Sequence, residues 1–505
     1  MSLGVVILLN ALCDLKLKLG KLYKKAPFPR FEINDMKQFF IPLFLVLSVL
    51  PPPPSLAIAQ HQSVDFTQLE KVALKELKDT NTPGAAIAIV SGDRVVFEKG
   101  LGASNIETGI PVTPDTLFRI GSVTKMFTAA VLVTLAEEGK IKLDRPIGEY
   151  VNGLSRKLSQ VTAHQLLSHT SGMTDESPSD YGSHDDRALA AYVRSLTDDD
   201  FFTEPGKIFS YSNPAFDVAG LLIEEVSGRP YADVMTERLF KPLNMSSTTF
   251  RPTMAMTYPL SQGHSGSGDV KPTVIRPFGD NVAGWPDGFM FSTVADLARF
   301  AMAFMGSNIK GTQVLKPPVI NGLSTPYVDL RSPFGFGNGK YGYGLFVHDH
   351  RGLRVVWHAG LIPGFGALFQ MVPSRRVAVV ILANKSGALL NKTAETAMDL
   401  MLPLQEKATA EPKQVLAISN TEISEYVGIY TNKPERAEIL VKGNKLILKL
   451  DDGEFLITKI GDYRFSITKP NESEAQEFVL VRGSDGKAEY LHIARHALKK
   501  QHINK

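Results

Sequence analysis

The sequence predicts an α+β fold: an antiparallel sheet flanked by helices, with an inserted helical lobe, followed by a small all-β barrel domain. Three observations predict this architecture. A β-hairpin pattern spans residues 84–100, strand patterns separated by turns follow Tyr343, and mainly helical patterns lie between them. Several further short β patterns, divided by Gly-Asn and Asp-Gly turns, end the chain. We therefore expect both ends of the first domain to meet in one sheet.

The first 59 residues are predicted to be an N-terminal extension followed by a secretory signal peptide. Residues 36–59 begin with Met-Lys, continue with an apolar run of about twelve residues and four prolines, and end in Ala-Ile-Ala. Cleavage near Ala59/Gln60 would place the rest of the chain in the periplasm or the extracellular space; the alternative is an uncleaved membrane anchor. The apolar runs are shorter than the roughly 20 residues that span a bilayer, so we expect no stable membrane span after processing. The pattern leaves open whether translation starts at Met1 or Met36.

Charge and cysteine content exclude some classes of protein. The whole chain has a net charge of +3. Residues 1–59 contain seven basic and three acidic residues, so their removal takes away four positive charges and leaves −1. A chain this close to neutral is not expected to bind nucleic acid. Cys13, the only cysteine, lies in the removed segment, so the exported protein would contain neither thiols nor disulfides.

Residues 60–405 are the predicted first domain, and its middle is mainly helical. Apolar residues recur there at helical spacing in several segments. Polar stretches rich in glycine, serine and aspartate separate these segments. The predicted helices lie at 65–79, from 122 onward, and at 162–168, 187–196, 214–227, 231–240 and 293–305. A polar linker is predicted at 406–420, and residues 421–505 are the predicted all-β barrel domain.

Ser122 and Lys125 open the helical pattern in the stretch LFRIGSVTKMFTAAVLVTLAEEGKI, residues 117–141. Residues three apart share one face of a helix, so the serine hydroxyl and the lysine amine can touch. Burial in an apolar pocket and the positive end of a helix dipole both favour the neutral amine that a base requires. Backbone N–H groups in the first turn of a helix have no partner within it, so that of Ser122 is a candidate oxyanion donor. The pair is therefore a candidate nucleophile and general base.

The S-x-x-K spacing alone is a weak signal, because it begins at Ser122, Ser307, Ser466 and Ser484. The last three lie in loop-like or strand-like stretches, where a solvated serine is the simpler interpretation. Only Ser122 opens a long helical pattern that has an apolar face and ends at Gly139. That face includes Met126, Ala129, Ala130, Val133 and Ala136.

The motif Y-x-N supplies polar groups that such a pair needs. Tyr211 and Asn213 lie in the loop-like stretch IFSYSNPAF, just before a helical pattern. A tyrosine there can relay protons, and an asparagine can bind a substrate amide. The spacing also occurs at Tyr150 and Tyr430, so it carries weight only in combination with the other motifs.

The motif H-x-G ends the strand pattern LRVVW with His358 and Gly360. A glycine there lets a substrate backbone approach closely, and the next N–H, that of Leu361, can complete the oxyanion hole. The H-x-G letters also occur at His264, but that residue lies in a GHSGSG loop without strand patterns on either side. This loop also lacks the G-x-S-x-G spacing of an α/β-hydrolase. Residues 348–350, His-Asp-His, are interpreted as a strand end, since no third ligand cluster accompanies them.

In the order helix-borne S-x-x-K, loop Y-x-N and strand-borne H-x-G, the chain resembles the serine β-lactamase and penicillin-binding protein superfamily. The resemblance is to class C β-lactamases and related DD-peptidases and esterases in particular. Supporting stretches are LFRIGSVTK, LLSHTSGM, RLFKPLNMSSTTF and FSTVADLARF, and together they cover residues 65–405. The C-terminal region is similar to the lipocalin-like β-barrel found behind some members.

The resemblance implies a role for each site residue. Ser122 resembles the acylated nucleophile, Lys125 the base beside it, and Tyr211 the proton relay of the class C type. Asn213 resembles a ligand of the substrate amide and of the lysine. His358 stands where many members have the lysine of K-T-G. A fixed positive charge for a substrate carboxylate is thus replaced by a side chain that is charged only below its pKa, ordinarily about 6.5.

These residues predict an exported serine hydrolase that acts through an acyl-enzyme on an amide or ester, such as a D-amino-acid peptide, a β-lactam or a small ester. The alternative is a catalytically inactive, penicillin-binding-protein-like module that binds cell-wall peptide or a partner. The motifs predict a small-molecule or peptide substrate. They give no reason to expect a cofactor, a metal ion or a nucleic acid, and they leave the oligomeric state open. The loops at 171–186 and 255–287 are expected to choose the substrate.

Overall fold

The structure of the protein is a computed structural model that describes residues 64–266, 270–335, 337–406, 413–433, 435–468 and 475–501. The predicted signal peptide, with its cleavage site near Ala59, lies outside the described residues, and so do residues 407–412 of the predicted linker. Within the described ranges, no helix combines the length and the apolar character that crossing a membrane requires.

Both ends of the first domain meet in one antiparallel sheet, which confirms the expectation from the hairpin and strand patterns. In chain order the strands are β1 (Gly84–Ser91), β2 (Arg94–Gly102), β3 (Phe118–Arg119), β4 (His264–Ser265), β5 (Thr273–Val274), β6 (Phe291–Ser292), β7 (Val328–Asp329), β8 (Lys340–Tyr341), β9 (Phe346–His350), β10 (Leu353–Ile362), β11 (Phe365–Val372) and β12 (Val377–Ala383). Eight of them form a sheet in the order β2-β1-β12-β11-β10-β9-β8-β7. The first strand lies beside the last, since β1 pairs antiparallel with β12 along its whole length.

Helices cover this sheet on both faces. In chain order they are α1 (Thr67–Asp79), α2 (Thr124–Glu137), α3 (Ala163–Leu167), α4 (Ala188–Ser195), α5 (Asn213–Ser227), α6 (Tyr231–Met235), α7 (Pro252–Ala255), α8 (Trp285–Gly288), α9 (Val294–Phe304), α10 (Pro317–Ser324) and α11 (Asn391–Met401). Successive side chains of a strand point to opposite faces. Accordingly, Ala88 packs in the cluster that contains Phe300 of α9, and Ile87 in the cluster that contains Ala73 of α1 and Ala397 of α11. Each large apolar side chain buried in this way contributes about 1.5–3 kcal/mol.

The helix α2 lies inside the first domain rather than on its surface. All residues from Thr124 to Val133 are buried, so burial extends beyond the apolar face that the sequence pattern indicates. A helix that is apolar on all sides is stable only when other elements surround it, and here α5, α8 and α10 do so. The helix also begins later than predicted, because Gly121–Val123 form a 3-10 turn before it.

Four helices of the first domain, α7, α8, α10 and α11, lie where the sequence patterns predict none. The predicted helix 231–240 continues beyond α6 as a π-helical turn, Thr236–Phe240. The start of α11 is capped from a distant part of the chain. The Glu76 carboxylate of α1 accepts the N–H groups of Lys392 and Thr393 at 3.0 and 2.8 Å. A cap supplied from so far away leaves no local signal in the sequence.

The C-terminal region is a nearly closed nine-stranded barrel, as predicted. A short helix, α12 (Asn420–Tyr426), precedes it. The strands are β13 (Gly428–Thr431), β14 (Arg436–Lys442), β15 (Lys445–Leu450), β16 (Gly453–Leu456), β17 (Thr458–Gly461), β18 (Arg464–Ile467), β19 (Gln476–Arg482), β20 (Ala488–Ile493) and β21 (His496–Lys500). They pair in the order β16-β15-β14-β13-β21-β20-β19-β18-β17, so the two outermost strands are consecutive in the chain. The exact boundary predicted at residue 421 stays a prediction.

Candidate active site

Ser122 and Lys125 lie next to each other at the start of α2. Ser122 is half-buried in the 3-10 turn, and Lys125 follows it with 0% of its surface exposed. Lys125 Nζ lies 3.2 Å from Ser122 Oγ. The two candidate groups are thus within hydrogen-bond distance, which a base needs in order to take the proton of a nucleophile.

The other two neighbours of the Lys125 amine are hydrogen-bond acceptors. Nζ lies 2.5 Å from Oδ1 of Asn213 and 2.7 Å from the main-chain oxygen of Asp287 in α8. A neutral amine has two N–H bonds and one lone pair, and the two oxygens can only accept. When both hydrogens point to these oxygens, the lone pair faces Ser122 Oγ. The contacts therefore direct the basic position of the amine at the candidate nucleophile.

The Asn213 side chain is held by the start of α5. The N-terminal cap of this helix is Ser212, whose Oγ accepts the Ala215 N–H at 3.4 Å and donates to the Thr174 carbonyl at 2.8 Å. The Asn213 N–H itself donates to Asp175 Oδ1 at 2.6 Å. Because these bonds orient the first turn of the helix, the amide is kept against the lysine amine.

The aromatic ring of Tyr211 lies in the same site. Its centroid is 5.0 Å from Lys125 Nζ, and the ring is almost fully buried. The ring of His169 lies 4.2 Å away, and the guanidinium carbon of Arg495, from the barrel, lies 4.9 Å from the centroid. The structure thus brings Tyr211 to the candidate pair, and its role as a proton relay stays a prediction.

His358 lies in the wall of the site as a buried, neutral group. Its Nε2 is 3.2 Å from the Tyr341 hydroxyl, and its Nδ1 is 2.6 Å from the Ala359 carbonyl oxygen. A carbonyl only accepts, so Nδ1 carries the hydrogen and Nε2 accepts from the hydroxyl. Burial, together with the Lys125 charge, lowers the pKa of His358 to about 3. We therefore expect this side chain to be uncharged near neutral pH, where the surroundings move its pKa away from the ordinary value of about 6.5.

Two glycines let strand β10 lie directly against the turn that carries Ser122. A Cβ on Gly360 would come within 1.8 Å of the Ile120 carbonyl oxygen, and one on Gly121 within 2.7 Å of the Leu361 nitrogen. Gly121 also has a φ of +52°, which residues with a side chain rarely adopt. The structure brings the Leu361 main chain close to Ser122 in this way, and the predicted oxyanion hole formed by their two N–H groups stays a prediction.

The substitution Gly360→Ala is expected to slow acylation by roughly 100-fold, because the added methyl group must push β10 away from the Ser122 turn and misalign the N–H donors. The rate of labelling by a fluorophosphonate, measured beside the thermal midpoint, checks this. The matched control is Gly339→Ala, since a Cβ on Gly339 meets only ordinary contacts at 3.5 Å or more. Equal labelling rates in the two variants would contradict the expectation.

His169 is a residue of the site to which the sequence analysis assigned no role, although it lies in the stretch LLSHTSGM. Its Nδ1 accepts the Ser212 N–H at 3.1 Å, and its ring lies 4.9 Å from that of Tyr341. Burial, with the charge of Lys125, lowers the pKa of His169 well below its usual value. A neutral imidazole that accepts at Nδ1 carries its hydrogen at Nε2. His169 therefore supports the Tyr211 ring as an uncharged packing partner.

The barrel contributes His496 to the edge of the site, and no sequence motif marked this residue. Its Nε2 is 3.2 Å from Oδ2 of Asp175, the residue that accepts the Asn213 N–H, and its Nδ1 is 2.5 Å from Glu435 Oε1. Burial by itself would lower the pKa of His496, but the hydrogen bonds to Asp175 and Glu435 outweigh burial and raise it. His496 is therefore a charged bridge between the barrel and the loop that holds α5.

The stability contributed by this bridge is expected to decrease as the pH rises. Because the pKa of His496 is raised in the folded protein, the contribution is complete below the ordinary value of about 6.5 and is lost above it, as the pH passes the folded-state pKa. The difference in thermal midpoint between the wild type and His496→Gln should shrink from about pH 6 to about pH 9. The charged and titratable groups that face His496 are Asp175, Glu435, Arg495, His169 and His492.

The two neighbouring histidines do not interfere with that measurement, because burial lowers the pKa of His169 well below its usual value and that of His492 to about 3. The control is His184→Gln, which removes an exposed histidine that bonds Asp280 at 2.9 Å. A midpoint difference for His496→Gln that stays constant with pH would show that the charge of His496 is not what docks the barrel.

The other histidines considered from the sequence lie in different surroundings. His264 is buried in β4, where its Nδ1 lies 2.8 Å from the Asn384 carbonyl oxygen. His348 lies within β9, and the Trp357 indole N–H donates to its Nδ1 at 2.9 Å. In the part of the chain that the structure describes, no group of three or more metal-ligating side chains is present.

Known proteins resemble this chain in sequence and in fold. A family model described as beta-lactamase matches residues 67–400. Protein flp of Staphylococcus aureus (strain N315) is 27% identical over 338 residues, which are 65% of this chain and 65% of that protein. The chain therefore spans slightly less than two thirds of the length of these curated relatives.

Solved structures extend the likeness to the C-terminal region. The crystal structure of SurE matches with a TM-score of 0.72 at 23% identity, over 86% of this chain and 98% of that chain. D-amino acid amidase from Ochrobactrum anthropi SV3, complexed with L-phenylalanine amide, matches with a TM-score of 0.57 at 22% identity, over 66% of this chain and 98% of that chain. At these identities the likeness concerns the fold. The SurE match covers more of the chain than the family model does, so it includes part of the barrel.

Proposed function

Since this chain belongs to the beta-lactamase family, we propose that it is an exported serine hydrolase that forms an acyl-enzyme on Ser122 from an amide or ester. The observation that carries the proposal is the contact of 3.2 Å between Lys125 Nζ and Ser122 Oγ, with Asn213 and Asp287 at the other two positions of the amine. A lysine held in this way serves as the base for one hydroxyl only.

In the acylation step, Ser122 Oγ forms a bond to the substrate carbonyl carbon while its proton passes to Lys125 Nζ. The carbonyl oxygen takes the negative charge, and the N–H groups of Ser122 and Leu361 donate to it. The intermediate then expels the amine or alcohol, which takes a proton from Lys125 directly or through Tyr211. Water attacks the acyl-enzyme with the help of the same groups and regenerates the Ser122 hydroxyl.

The substrates that we propose are D-amino-acid peptides or amides, β-lactams and small esters. D-amino acid amidase has the same fold, which supports including D-amino-acid amides. The neutral, buried His358 supplies a hydrogen-bonding ring in place of the cation that a lysine would supply. Recognition of a charged substrate then depends on other residues of the site.

The proposal is tested by treating the full-length protein with a fluorescent penicillin and, separately, with a fluorophosphonate, followed by mass spectrometry of the adduct. We expect the fluorophosphonate to modify Ser122, and an additional penicillin adduct would make β-lactams part of the substrate range. A protein that stays unmodified by both reagents while it binds cell-wall peptide would instead be the inactive binding module.

Export is the second part of the proposal, and it predicts the start of the mature protein. The signal-peptide pattern in residues 36–59 supports it. We expect the mature chain to begin near Gln60 and to be recovered outside the cytoplasm. Mass spectrometry of the N-terminal peptide from cell fractions checks this. A mature protein that keeps Met1 or Met36 would contradict cleavage at this position.

A further inference from the structure

The turn between β20 and β21 of the barrel is part of the wall of the active site. The Arg495 carbonyl accepts the Tyr211 N–H at 2.9 Å, and the Ala497 N–H donates to Ser210 Oγ at 3.2 Å. The turn is therefore hydrogen-bonded along the loop that carries Tyr211. A residue of this turn is consequently held at a defined distance from the groups that surround Ser122.

Two further contacts fix the same hairpin to the first domain. The hydroxyl groups of Thr203 and Tyr490 lie 2.6 Å apart. On the other side, Ser332 Oγ lies 2.8 Å from Nδ1 of the buried His492 and donates to the Ala494 carbonyl at 3.1 Å. Contacts on both sides of the turn make it a rigid part of the site, which is what a binding residue requires.

The Arg495 guanidinium is a cation without a carboxylate partner among the described residues. Its Nε lies 3.4 Å from His496 Nε2, but in the charged His496 this nitrogen carries a hydrogen and cannot accept from Arg495. The two nearby carboxylates, Asp175 and Glu435, are both bonded to His496. The side chain is half-buried beside the Tyr211 ring, and no bond from its terminal N–H groups to the protein is present among the described contacts.

Two basic side chains, Lys125 and Arg495, contact the Tyr211 ring, and they differ in accessibility. Lys125 is fully buried, and its three neighbours occupy every hydrogen-bond position of its amine. Arg495 is only partly buried. His358 adds no charge, because it is buried as the neutral ring, with Nδ1 donating to the Ala359 carbonyl and Nε2 accepting from the Tyr341 hydroxyl. Arg495 is therefore the cation at this ring that a substrate can reach.

Resting on the proposed function, we propose that Arg495 binds a carboxylate of the substrate, so that the barrel selects anionic amides and esters for the nucleophile in the first domain. The planar guanidinium presents two parallel N–H donors that match the two oxygens of a carboxylate. The guanidinium carbon lies over the Tyr211 ring, 4.9 Å from its centroid, and this cation–π contact limits the movement of the side chain. The charge is supplied by a different domain from the one that supplies the nucleophile.

The test uses two esters of phenylacetylglycine that differ in one group: the m-carboxyphenyl ester, which is an anion, and the m-carbamoylphenyl ester, which is uncharged. Their binding to the full-length Ser122→Ala protein, which has no nucleophile to acylate, is measured by isothermal titration calorimetry. The readout is the ratio of the two affinities. We expect the ratio to favour the carboxylate and to fall by about tenfold to hundredfold when Arg495→Gln is added.

Two further variants separate charge from geometry. Arg495→Lys keeps the charge and loses the planar pair of donors, so its affinity ratio should be intermediate. Arg482→Gln is the matched control, because Arg482 lies 4.0 Å from the Tyr463 ring on the exposed surface of the same barrel. The thermal midpoint of each variant is measured to confirm that the barrel stays folded.

An unchanged ratio in Arg495→Gln would overturn the proposal. An equal loss of affinity for both esters would also overturn it, because Arg495 would then only position the Tyr211 loop. The same holds if the Ser122→Ala protein that keeps Arg495 binds neither ester. These outcomes are independent of turnover. The affinity ratio could depend on Arg495 even if the wild-type protein formed no acyl-enzyme. That result would contradict the proposed hydrolase function and support the carboxylate site.

Discussion

The substitution Ser122→Ala is expected to abolish labelling by the fluorophosphonate and to lower turnover by about 1000-fold or more. The substitution removes the oxygen that forms the acyl bond. Among the described contacts of the Lys125 amine, Ser122 supplies the one hydroxyl. Stability should change little, since the hydroxyl contributes one half-exposed hydrogen bond, about 1 kcal/mol. Gel fluorescence and intact-mass spectrometry measure the labelling, and circular dichroism checks the fold.

The matched control for this variant is Ser484→Ala. Ser484 has the same S-x-x-K spacing, but it lies in the exposed turn between β19 and β20. Labelling of Ser484→Ala should equal that of the wild type. If Ser122→Ala were labelled at the wild-type rate while it kept its fold, the nucleophile would have to be sought at another residue.

The substitution Lys125→Met is expected to slow acylation by roughly 100- to 10,000-fold, the range for loss of a general base. It should also lower stability, because it leaves the Asn213 and Asp287 oxygens without their donor. Each unpaired buried group of this kind costs about 1–3 kcal/mol. Stopped-flow acylation by an activated ester, recorded well below the thermal midpoint of the variant, separates the two effects.

The control is Lys487→Met, which removes the exposed lysine of the Ser484 motif and should leave both rate and stability unchanged. The dependence of the acylation rate on pH distinguishes a base from a structural residue. A pH–rate profile of Lys125→Met that had the wild-type shape would limit Lys125 to holding Asn213 and α8 in position.

The neutral state of His358 changes which residue is expected to recognise a charged substrate. In the sequence, His358 occupies the place of the K-T-G lysine, and the charge of a histidine depends on pH. In the structure, its ring is enclosed with Tyr341 and Phe346, and burial lowers its pKa to about 3. The same site contains Arg495, which comes from the barrel. Under our proposal, an anionic substrate is recognised by a turn of the barrel and not by a strand of the first domain.

The sequence by itself determined the features that arise within one segment of the chain. Strand alternation and turn residues predicted the hairpin, the later strands and the barrel, because these signals repeat every two residues. The spacing of Ser122 and Lys125 predicted their contact, since three residues on a helical turn bring two side chains to one face. The family motifs identified Tyr211, Asn213 and His358 as neighbours of that pair, and the structure brings them together.

Only the tertiary structure decided how burial and distant contacts modify those residues. The surroundings of α2 decided that its residues are buried on nearly every side, and Glu76 of α1 capped a helix that no local pattern predicted. The turn of the barrel reached the site through contacts such as that between Ser210 and Ala497, which are 287 positions apart. Burial and charge depend on neighbours in space rather than on neighbours in the chain, so the neutral state of His358 and the approach of Arg495 follow from the fold.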